Sequence, residues 1–246
     1  MNRLLFLSLF LLSHASANIL QDAIDSAPSG ATIKLPAGNY SGNIIINRPV
    51  TILGKEEGAV IDGNNSGTVI TVNSSDVVLK NLTIVNSGSR MENLDSAIFI
   101  NSVKRVTVSH CKLLNSLYGI DMKMVEDSLI EGNYISSKQV EISLRGDALK
   151  VWYSHNNTVK SNTVERSRDV TLTYSNNNNL EEKSLLLNRF ATHVRLSRNN
   201  ILHNNKHKYN TVSMLLVDVQ ETKLTEQNTK HALDAEDKRV LLNVTQ

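Results

Sequence analysis

Short stretches in which apolar and polar residues alternate recur along the chain, and segments with helical spacing are rare. Residues 149–153 (Leu-Lys-Val-Trp-Tyr) and 170–174 (Val-Thr-Leu-Thr-Tyr) show the pattern. Alternation with a period of two, broken by Asn, Ser and Gly, is typical of strands that bury one face. The chain has 29 asparagines among its 246 residues, and asparagine favours turns over helix interiors. We therefore expect an all-β protein rich in turns.

A motif repeats through this pattern: an aliphatic residue, two further residues, then Asn or a substitute. It begins at Val78, Val108, Ile130, Val159, Leu180, Ile201 and Leu224. Its Asn position holds Asn81, Cys111, Asn133, Asn162, Lys183, Asn204 and Gln227. A second apolar series precedes the motif by ten residues and consists of Ile98, Ile120, Leu149, Val170, Ala191 and Met214.

The motif recurs every 21–30 residues. Stacked units of this length predict a right-handed parallel β-helix, because one coil cannot bury its own inward side chains but a stack of coils can. Asn at one position of successive coils can bond the backbone of its neighbours, which satisfies a buried amide. A leucine-rich repeat would show a denser Leu-x-Leu consensus, and a β-sandwich would not keep register over seven units.

The first residues read as a targeting segment. Arg3 supplies a positive start, residues 4–12 are apolar except for Ser8, and residues 15–17 (Ala-Ser-Ala) form a small-residue cleavage site. We expect a signal peptide at 1–17 and a β-helix domain at 18–246. A retained membrane anchor would need about twenty apolar residues. Export with a single cysteine, Cys111, favours a bacterial periplasm.

The two ends of the expected β-helix differ. Residues 19–27 have apolar residues at helical spacing and stop at Pro28, which predicts a short amphipathic helix that caps the first coil. Towards the carboxyl end, Lys183 replaces the motif Asn, and Lys206 falls where earlier coils have an aliphatic residue. An inward lysine is costly unless it is paired. We expect the last two or three coils to be distorted and the carboxyl-terminal coils to be incomplete.

Outward residues should stack in columns in the same way. One column is expected to hold Phe99, Asp121, Lys150 and Thr171, and the next Asn101, Lys123, Trp152 and Thr173, with His193 and Arg195 at their ends. Thr192, Val194 and Leu196 are then expected to point inward.

Two insertions, near 86–96 and 136–147, leave the solenoid at one corner, and insertions in solenoids collect on a binding face. Beside that corner the candidate binding residues are Arg145, Asp147, Trp152, Arg168, Asp169, Arg189 and His193. The alternative is a solvated face whose salt bridges hold the turns.

Other chemistry is weakly indicated. The net charge of +2, without runs of like charge, argues against nucleic-acid binding. Met122 and Met124 are expected in the core, and His110 and His203 in equivalent positions four coils apart. His203-x-x-x-His207 would share one face only on a helix, which this region does not predict. The acids Asp121, Asp147 and Asp169 lie on different coils. We therefore expect no catalysis; a polysaccharide lyase or hydrolase, or a carbohydrate-binding module, is the alternative.

A family resemblance rests on three segments in order. They are residues 145–149 (Arg-Gly-Asp-Ala-Leu) with Trp152 and Ser154, residues 167–169 (Ser-Arg-Asp), and residues 189–193 (Arg-Phe-Ala-Thr-His). Together they resemble the NosD family, periplasmic β-helix proteins of nitrous oxide reductase maturation. The resemblance covers nearly all of residues 18–246.

The resemblance implies a non-catalytic accessory role. It implies an ABC-type ATPase and permease and nitrous oxide reductase as partners, and assembly of the copper-sulfur centre of that enzyme as the process. It also implies that copper could meet the candidate residues, with His193 as the ligand. This sequence departs from the family where it has Val194-Arg195-Leu196 in place of an expected methionine, and it is shorter than a typical member.

Overall fold

A right-handed solenoid of nine coils follows one short helix in the computed structural model. The structure describes residues 17–41, 43–55, 58–226, 228–230 and 240–242. The expected signal peptide lies outside them except for Ala17. Within the described residues, no helix is both long and apolar enough to cross a membrane.

The helix and strands are short and follow the expected alternation. Helix α1 spans Ala17–Ser26. The first three coils contain β1 (Ala31–Leu35), β2 (Gly38–Ser41), β3 (Ile44–Ile46), β4 (Val50–Gly54), β5 (Ala59–Asp62), β6 (Ile70–Val72), β7 (Val78–Lys80), β8 (Thr83–Val85) and β9 (Ser96–Asn101). The next three contain β10 (Thr107–Ser109), β11 (Lys112–Ser116), β12 (Tyr118–Lys123), β13 (Leu129–Glu131), β14 (Tyr134–Ser137), β15 (Leu149–Trp152), β16 (Thr158–Lys160), β17 (Thr163–Glu165) and β18 (Asp169–Thr173). The last three contain β19 (Asn179–Glu181), β20 (Ser184–Leu186), β21 (Phe190–Arg195), β22 (Ile201–His203), β23 (Lys206–Lys208), β24 (Val212–Val217), β25 (Lys223–Thr225), β26 (Asn228–Lys230) and β27 (Val240–Leu242).

Each coil contributes one strand to each of three parallel sheets. The first sheet runs from β1 to β25, the second from β2 to β26 and the third from β3 to β27, and each takes every third strand. Ile120 pairs with Leu149, and Leu149 with Val170, so the inward series predicted from the sequence does stack. The parallel β-helix is confirmed.

Aliphatic side chains fill the interior in continuous columns. One column of buried residues holds Leu79, Val108, Ile130, Val159, Leu180 and Leu202. Another holds Ile100, Met122, Val151, Leu172, Val194 and Leu216. Burial of each such side chain contributes about 1.5–3 kcal/mol. These columns hold the three sheets together.

Asparagine ladders run beside the aliphatic columns. In the predicted ladder, the backbone N–H of Asn133 donates to Oδ1 of Asn162 at 2.9 Å. A second ladder, not identified from the sequence, joins Asn157, Asn178 and Asn200, whose Oδ1 atoms accept from the backbone of the preceding coil at 2.9–3.0 Å. The ladders satisfy buried amides and backbone donors together, so they fix the stacking of the turns.

Helix α1 caps the first coil, as the sequence predicts. It buries Leu20 and Ile24 against the core. The side-chain amide of Gln21 bonds both backbone groups of Ile45: Nε2 donates to the carbonyl at 2.9 Å, and Oε1 accepts from the N–H at 2.8 Å. The first strand of the third sheet therefore has its outer backbone groups satisfied at this residue.

The register differs from the sequence prediction by one residue at two motif units. Leu79 and Leu202, rather than Val78 and Ile201, point inward. The expected slot residues Asn81 and Asn204 lie instead at left-handed corners, with φ of 55° and 47°. Asparagine tolerates this conformation, so its presence alone does not separate a corner from an inward slot. The same shift means that His203 is equivalent to Ser109 and not to His110.

Three further placements from the sequence are wrong. Met124 and Leu196 were expected in the core, but they lie at left-handed corners (φ 53° and 48°) and are 44% and 37% exposed. Lys206 points outward, and the buried His207 takes the inward position after Leu185. Each error comes from a corner that advances the alternation by one residue.

The coils after Lys183 keep their parallel register. Strands β22, β23 and β24 pair with the preceding and following coils. Strand β21, however, pairs with β18 with one register irregularity between Asp169 and Thr171. Among the described residues, the expected distortion of the last coils is confined to this point. Burial does fall towards the carboxyl end, since Leu224 is 39% exposed.

Candidate functional site

Four of the candidate residues form one connected ion-pair network, which we call the Asp–Arg ladder: Asp147, Arg168, Asp169 and Arg189. Arg168 Nε lies 3.1 Å from Asp147 Oδ1 and 4.0 Å from Asp169 Oδ2. Arg189 Nε donates to Asp169 Oδ1 at 3.0 Å, and its Nη2 bonds Oδ2. The ladder spans three successive coils. Its residues lie at or just before the start of β15, β18 and β21, which are adjacent strands of the third sheet.

Both acids of the ladder are buried beneath the arginines. Asp147 is 4% and Asp169 is 1% exposed. Asp147 also accepts a hydrogen bond from the Thr171 hydroxyl at 3.0 Å. Burial raises the pKa of Asp147 to about 6; the Arg168 charge opposes this shift and the Asp169 charge adds to it. The hydrogen bond to Asp169 raises the pKa of Arg189. The ladder thus presents cationic guanidinium groups to solvent and keeps its carboxylates beneath them.

His193 lies at the edge of the ladder. Its ring packs against that of Phe190, with 5.4 Å between the ring centroids. The Cζ atom of Arg189 lies 4.6 Å from the centroid of the Phe190 ring. Burial lowers the pKa of His193, and Arg195, Arg189 and Arg168 lower it further, although Asp169 opposes them. A neutral imidazole is the form that ligates metals. However, no group of three or more His, Cys, Asp or Glu side chains that could hold an ion occurs in the described part of the chain.

Trp152 lies apart from the ladder, in what we call the third-sheet groove. The strand register reproduces both outward columns expected from the sequence, including the pairing of Lys123 with Trp152. Lys123 Nζ and Lys150 Nζ lie 5.6 and 5.8 Å from the Trp152 ring centroid. Lys150 also bonds the buried Asp121 at 3.0 Å. The groove has a volume of about 350 Å³ and is lined by Thr68, Asn93, Leu94, Phe99, Asp121, Lys123, Lys150 and Trp152.

Arg145 is not brought to the ladder. Its Nε donates to the carbonyl of Val140 at 2.7 Å, and its Nη1 to that of Arg166 at 3.0 Å. It therefore fastens the insertion between β14 and β15, which contains a 3₁₀ turn at Ile142–Leu144, to the next coil. A cleft of about 820 Å³ lies beside it, lined in part by Lys138 and Glu141.

The insertion corner is where sequence reasoning missed part of the site. Both insertions leave between the second and third sheets, as expected. The first contributes Asn93 and Leu94 to a wall of the third-sheet groove. Asp95, buried in the same segment, bonds Arg90 at 3.2 Å and holds the segment in shape. The position of the insertion in the sequence indicated where it leaves the solenoid. Its sequence has no periodicity, so the course of its backbone could not be predicted.

Comparison with known proteins defines the class. Residues 68–230 match the family described as "Right handed beta helix region". The chain belongs to that right-handed β-helix family.

Two curated relatives share more specific similarity. Both are described as "Probable ABC transporter binding protein NosD". The protein of Stutzerimonas stutzeri is 29% identical over 138 residues, 55% of this chain and 31% of its own length. That of Pseudomonas aeruginosa is 28% identical over 173 residues, 66% of this chain and 39% of its own length. The chain thus spans about a third of the length of these relatives.

Solved structures show the fold alone. The mannuronan C-5 epimerase AlgE6 A-module of Azotobacter vinelandii superposes with a TM-score of 0.58 at 15% identity, over 87% of this chain and 72% of that one. Pectin methylesterase of rice weevil gives 0.56 at 12% identity, over 89% of both chains. Tailspike protein 2 of Escherichia coli O157:H7 bacteriophage CAB120 gives 0.63 at 10% identity, over 85% of this chain and 32% of that one.

Proposed function

We propose that this chain is a NosD-like accessory protein. In this proposal it is exported to the periplasm after removal of residues 1–17 and works there with an ABC-type ATPase and permease. The process it serves is assembly of the copper-sulfur centre of nitrous oxide reductase. The observation that carries the proposal is the 28–29% identity with two proteins described as ABC transporter binding proteins, over 138 and 173 residues.

The ladder supports a binding role over catalysis. General acid–base chemistry needs a carboxyl group within reach of its substrate. Asp147 and Asp169 instead lie under Arg168 and Arg189, and their oxygens accept hydrogen bonds from those side chains. A partly exposed row of guanidinium groups held in fixed positions is suited to bidentate recognition of carboxylates on a partner. We therefore assign the ladder to partner contact.

Copper in this proposal is cargo, and it does not fit a closed site at His193. Copper prefers several convergent nitrogen and sulfur donors. His193 offers one imidazole, and Arg189 and Arg195 lie near enough to lower its pKa by their charge. We therefore propose that any copper the chain meets is bound jointly with donors of a partner protein, with His193 as this chain's contribution.

Complementation of a deletion strain tests the proposal. The wild-type gene should restore a reductase with its catalytic copper centre, and Arg189→Ala should restore less than about a tenth of it. Arg105→Ala is the matched control, because it removes an Arg–Asp pair (2.7 Å to Asp76) that is exposed and lies outside the ladder. Loss of copper loading with both variants, or with neither, would contradict the role of the ladder.

A pulldown from periplasm provides the second measurement. The wild-type chain and Arg105→Ala should recover the permease or the reductase, and Arg189→Ala should not. Full copper loading of the reductase in the deletion strain itself would refute the function as a whole. Release of reducing or unsaturated ends from uronate glycans would show an enzyme in its place.

A further inference from the structure

Exposed apolar side chains and cations occur together where each coil passes from the second sheet to the third. We call this surface the basic corner, and in four successive coils it consists of residues 138–148, 166–168, 187–189 and 209–211. We propose that the basic corner binds the surface of an anionic phospholipid bilayer. Leu144, Leu187 and Tyr209 enter the headgroup region, and Arg145 and Arg166 contact lipid phosphates. This contact is independent of the accessory role proposed above.

Several apolar side chains of the basic corner are exposed to solvent: Val140 (38%), Leu144 (59%), Leu187 (43%) and Tyr209 (47%). Leu187 and Tyr209 also have left-handed backbone, with φ of 55° and 54°, which is unfavourable for residues of this kind. In earlier coils the same corner is occupied by Asn86 and Asn115, and asparagine tolerates the left-handed conformation. Folding alone therefore does not account for leucine and tyrosine here, whereas contact with a bilayer would remove their exposed surface from water.

The charge of the basic corner is complementary to anionic headgroups. Its four segments contain five cations and two acids, a net charge of +3, and Asp169 at the start of β18 lowers this to +2 if it is included. The corner between the third and first sheets exposes a similar apolar series, which consists of Met124, Tyr153, Tyr174 and Leu196. The segments there (residues 124–128, 153–157, 174–178 and 196–200) contain one cation and two acids. Charge therefore assigns an anionic surface to the basic corner.

A cleft beside the insertion provides a place for a phosphate group. It has a volume of about 820 Å³, and its charged lining residues are Lys138, Arg145, Arg166 and Glu141. Lys138 is 7% exposed, and its Nζ donates to a neutral group, Asn65 Oδ1, at 3.2 Å. Arg145 Nη1 donates to the carbonyl of Arg166 at 3.0 Å, which holds the two residues together across adjacent coils. Because guanidinium groups bind phosphate oxygens in pairs, a headgroup phosphate would be contacted from both coils.

The shape of the basic corner favours a bilayer over a protein partner. The backbone N–H of Arg166 donates to the next coil at 3.0 Å, and that of Leu187 donates to the carbonyl of Lys208 at 3.2 Å, so successive corners are in line. Adjacent strands are about 4.8 Å apart, so the line from the insertion to Tyr209 is about 14 Å long. Stable protein interfaces bury about 800 Å² of each partner, which is far more than a narrow ridge offers. Aromatic and aliphatic side chains flanked by cations are typical of surfaces that lie among headgroups.

Co-sedimentation with lipid vesicles tests the proposal. The chain should bind vesicles of phosphatidylcholine that contain about 30% phosphatidylglycerol, and it should bind pure phosphatidylcholine about 10-fold more weakly. Sodium chloride at about 0.5 M should weaken the binding to the anionic vesicles, because salt screens the headgroup charge. Residues 4–12 are apolar and could insert by themselves, so variants are compared only between chains with the same amino terminus.

Two matched pairs of variants assign the contact to the basic corner. Leu187→Asn should weaken binding to the anionic vesicles about threefold or more. Leu196→Asn, at the corner between the third and first sheets, should leave it unchanged, although Leu196 is similarly exposed and has a φ of 48°. Both variants should fold, since asparagine suits a left-handed corner. Arg166→Gln should weaken binding about fivefold. Arg105→Gln should not, although both arginines are about half exposed and each pairs with an acid, at 2.8 and 2.7 Å.

Several results would overturn the proposal. They are equal binding to both kinds of vesicle, equal losses within either pair of variants, and no binding to the anionic vesicles. Glycerol 1-phosphate that bound as tightly as the anionic vesicles would also overturn it, because the cleft would then be a site for a free phosphate. Copper loading of the reductase is a separate readout, so failure here leaves the accessory role untouched.

Discussion

Lys183 is a buried amine in a position that three other coils fill with asparagine: Asn133, Asn162 and Asn205. It is 1% exposed, and its backbone N–H donates to Asn205 Oδ1 at 3.2 Å. Its Nζ has no hydrogen-bond partner among the described residues. Burial lowers the pKa of Lys183 well below its usual range, against a smaller opposing effect of Glu181. We predict that Lys183→Met stabilises the protein.

The size of the expected stabilisation by Lys183→Met follows from the interactions that the substitution retains and the unpaired polar group that it removes. It keeps an unbranched side chain of similar length, so little apolar burial is lost. It removes a buried polar group without a partner, which costs about 1–3 kcal/mol. For a chain of this size each kcal/mol shifts Tm by about 2–4 °C. The unpaired group alone corresponds to a Tm difference of roughly 2–12 °C, and the cost of deprotonating the buried amine at pH 7 adds to it, so Lys183→Met should raise Tm at pH 7 by more than this group alone would.

The pH dependence is the sharper result. Because the folded pKa of Lys183 is depressed, the unfolded chain binds more protons between the two pKa values, and wild-type stability rises with pH there. The limit is about 1.4 kcal/mol per pH unit. Lys183→Met should lack this contribution, so the gap between the two proteins should narrow from pH 7 to pH 10. Urea and thermal unfolding followed by circular dichroism measure this, with the exposed Lys80→Met as control. A variant no more stable than wild type at pH 7, or a constant gap, would refute the reasoning.

Three further substitutions test the ladder and the solenoid. The pKa of Asp147 in the folded state is raised to about 6, so between about pH 4 and 6 the folded state binds a proton that the unfolded state does not. The free energy of unfolding of the wild type, relative to that of Asp147→Asn, should therefore fall by about 3 kcal/mol as pH rises from below 4 to 7, measured by urea unfolding. A difference between the two proteins that does not change with pH would contradict this. Asn178→Ala removes bonds of 3.0–3.2 Å to both neighbouring coils and should cost about 2–4 kcal/mol, whereas the exposed Asn39→Ala should cost almost nothing. Gly119→Ala would place a Cβ 2.2 Å from the carbonyl oxygen of Ala148 and should lower the free energy of unfolding by about 3 kcal/mol or more. An unchanged Tm would show instead that the backbone moves to make room for the methyl group.

The architecture was predictable because period-two alternation and stacking act together on every coil. Ile120, Leu149 and Val170 had to coincide once the coil length was known. The exact register was not predictable at the corners. A left-handed corner is occupied by Asn81 in one coil and by Met124 or Tyr153 at another edge, so residue type does not mark it.

The same distinction holds for the candidate site. The contact of Arg168 with Asp147 follows from equivalent positions on adjacent coils. The position of Arg145 does not, since its side chain is directed by the aperiodic insertion through Val140. The groove wall at Leu94 was likewise beyond the repeat. Sequence periodicity therefore locates residues on the coils and fails where a segment leaves them.

The bonds from Gln21 to Ile45 have a consequence for self-association. One side-chain amide occupies the donor and acceptor that an additional strand would otherwise use. Without it, β3 would be a template on which a second molecule could continue the stack. Gln21 thus helps to prevent end-to-end association of molecules into a filament, which the similar backbone of every coil would otherwise allow.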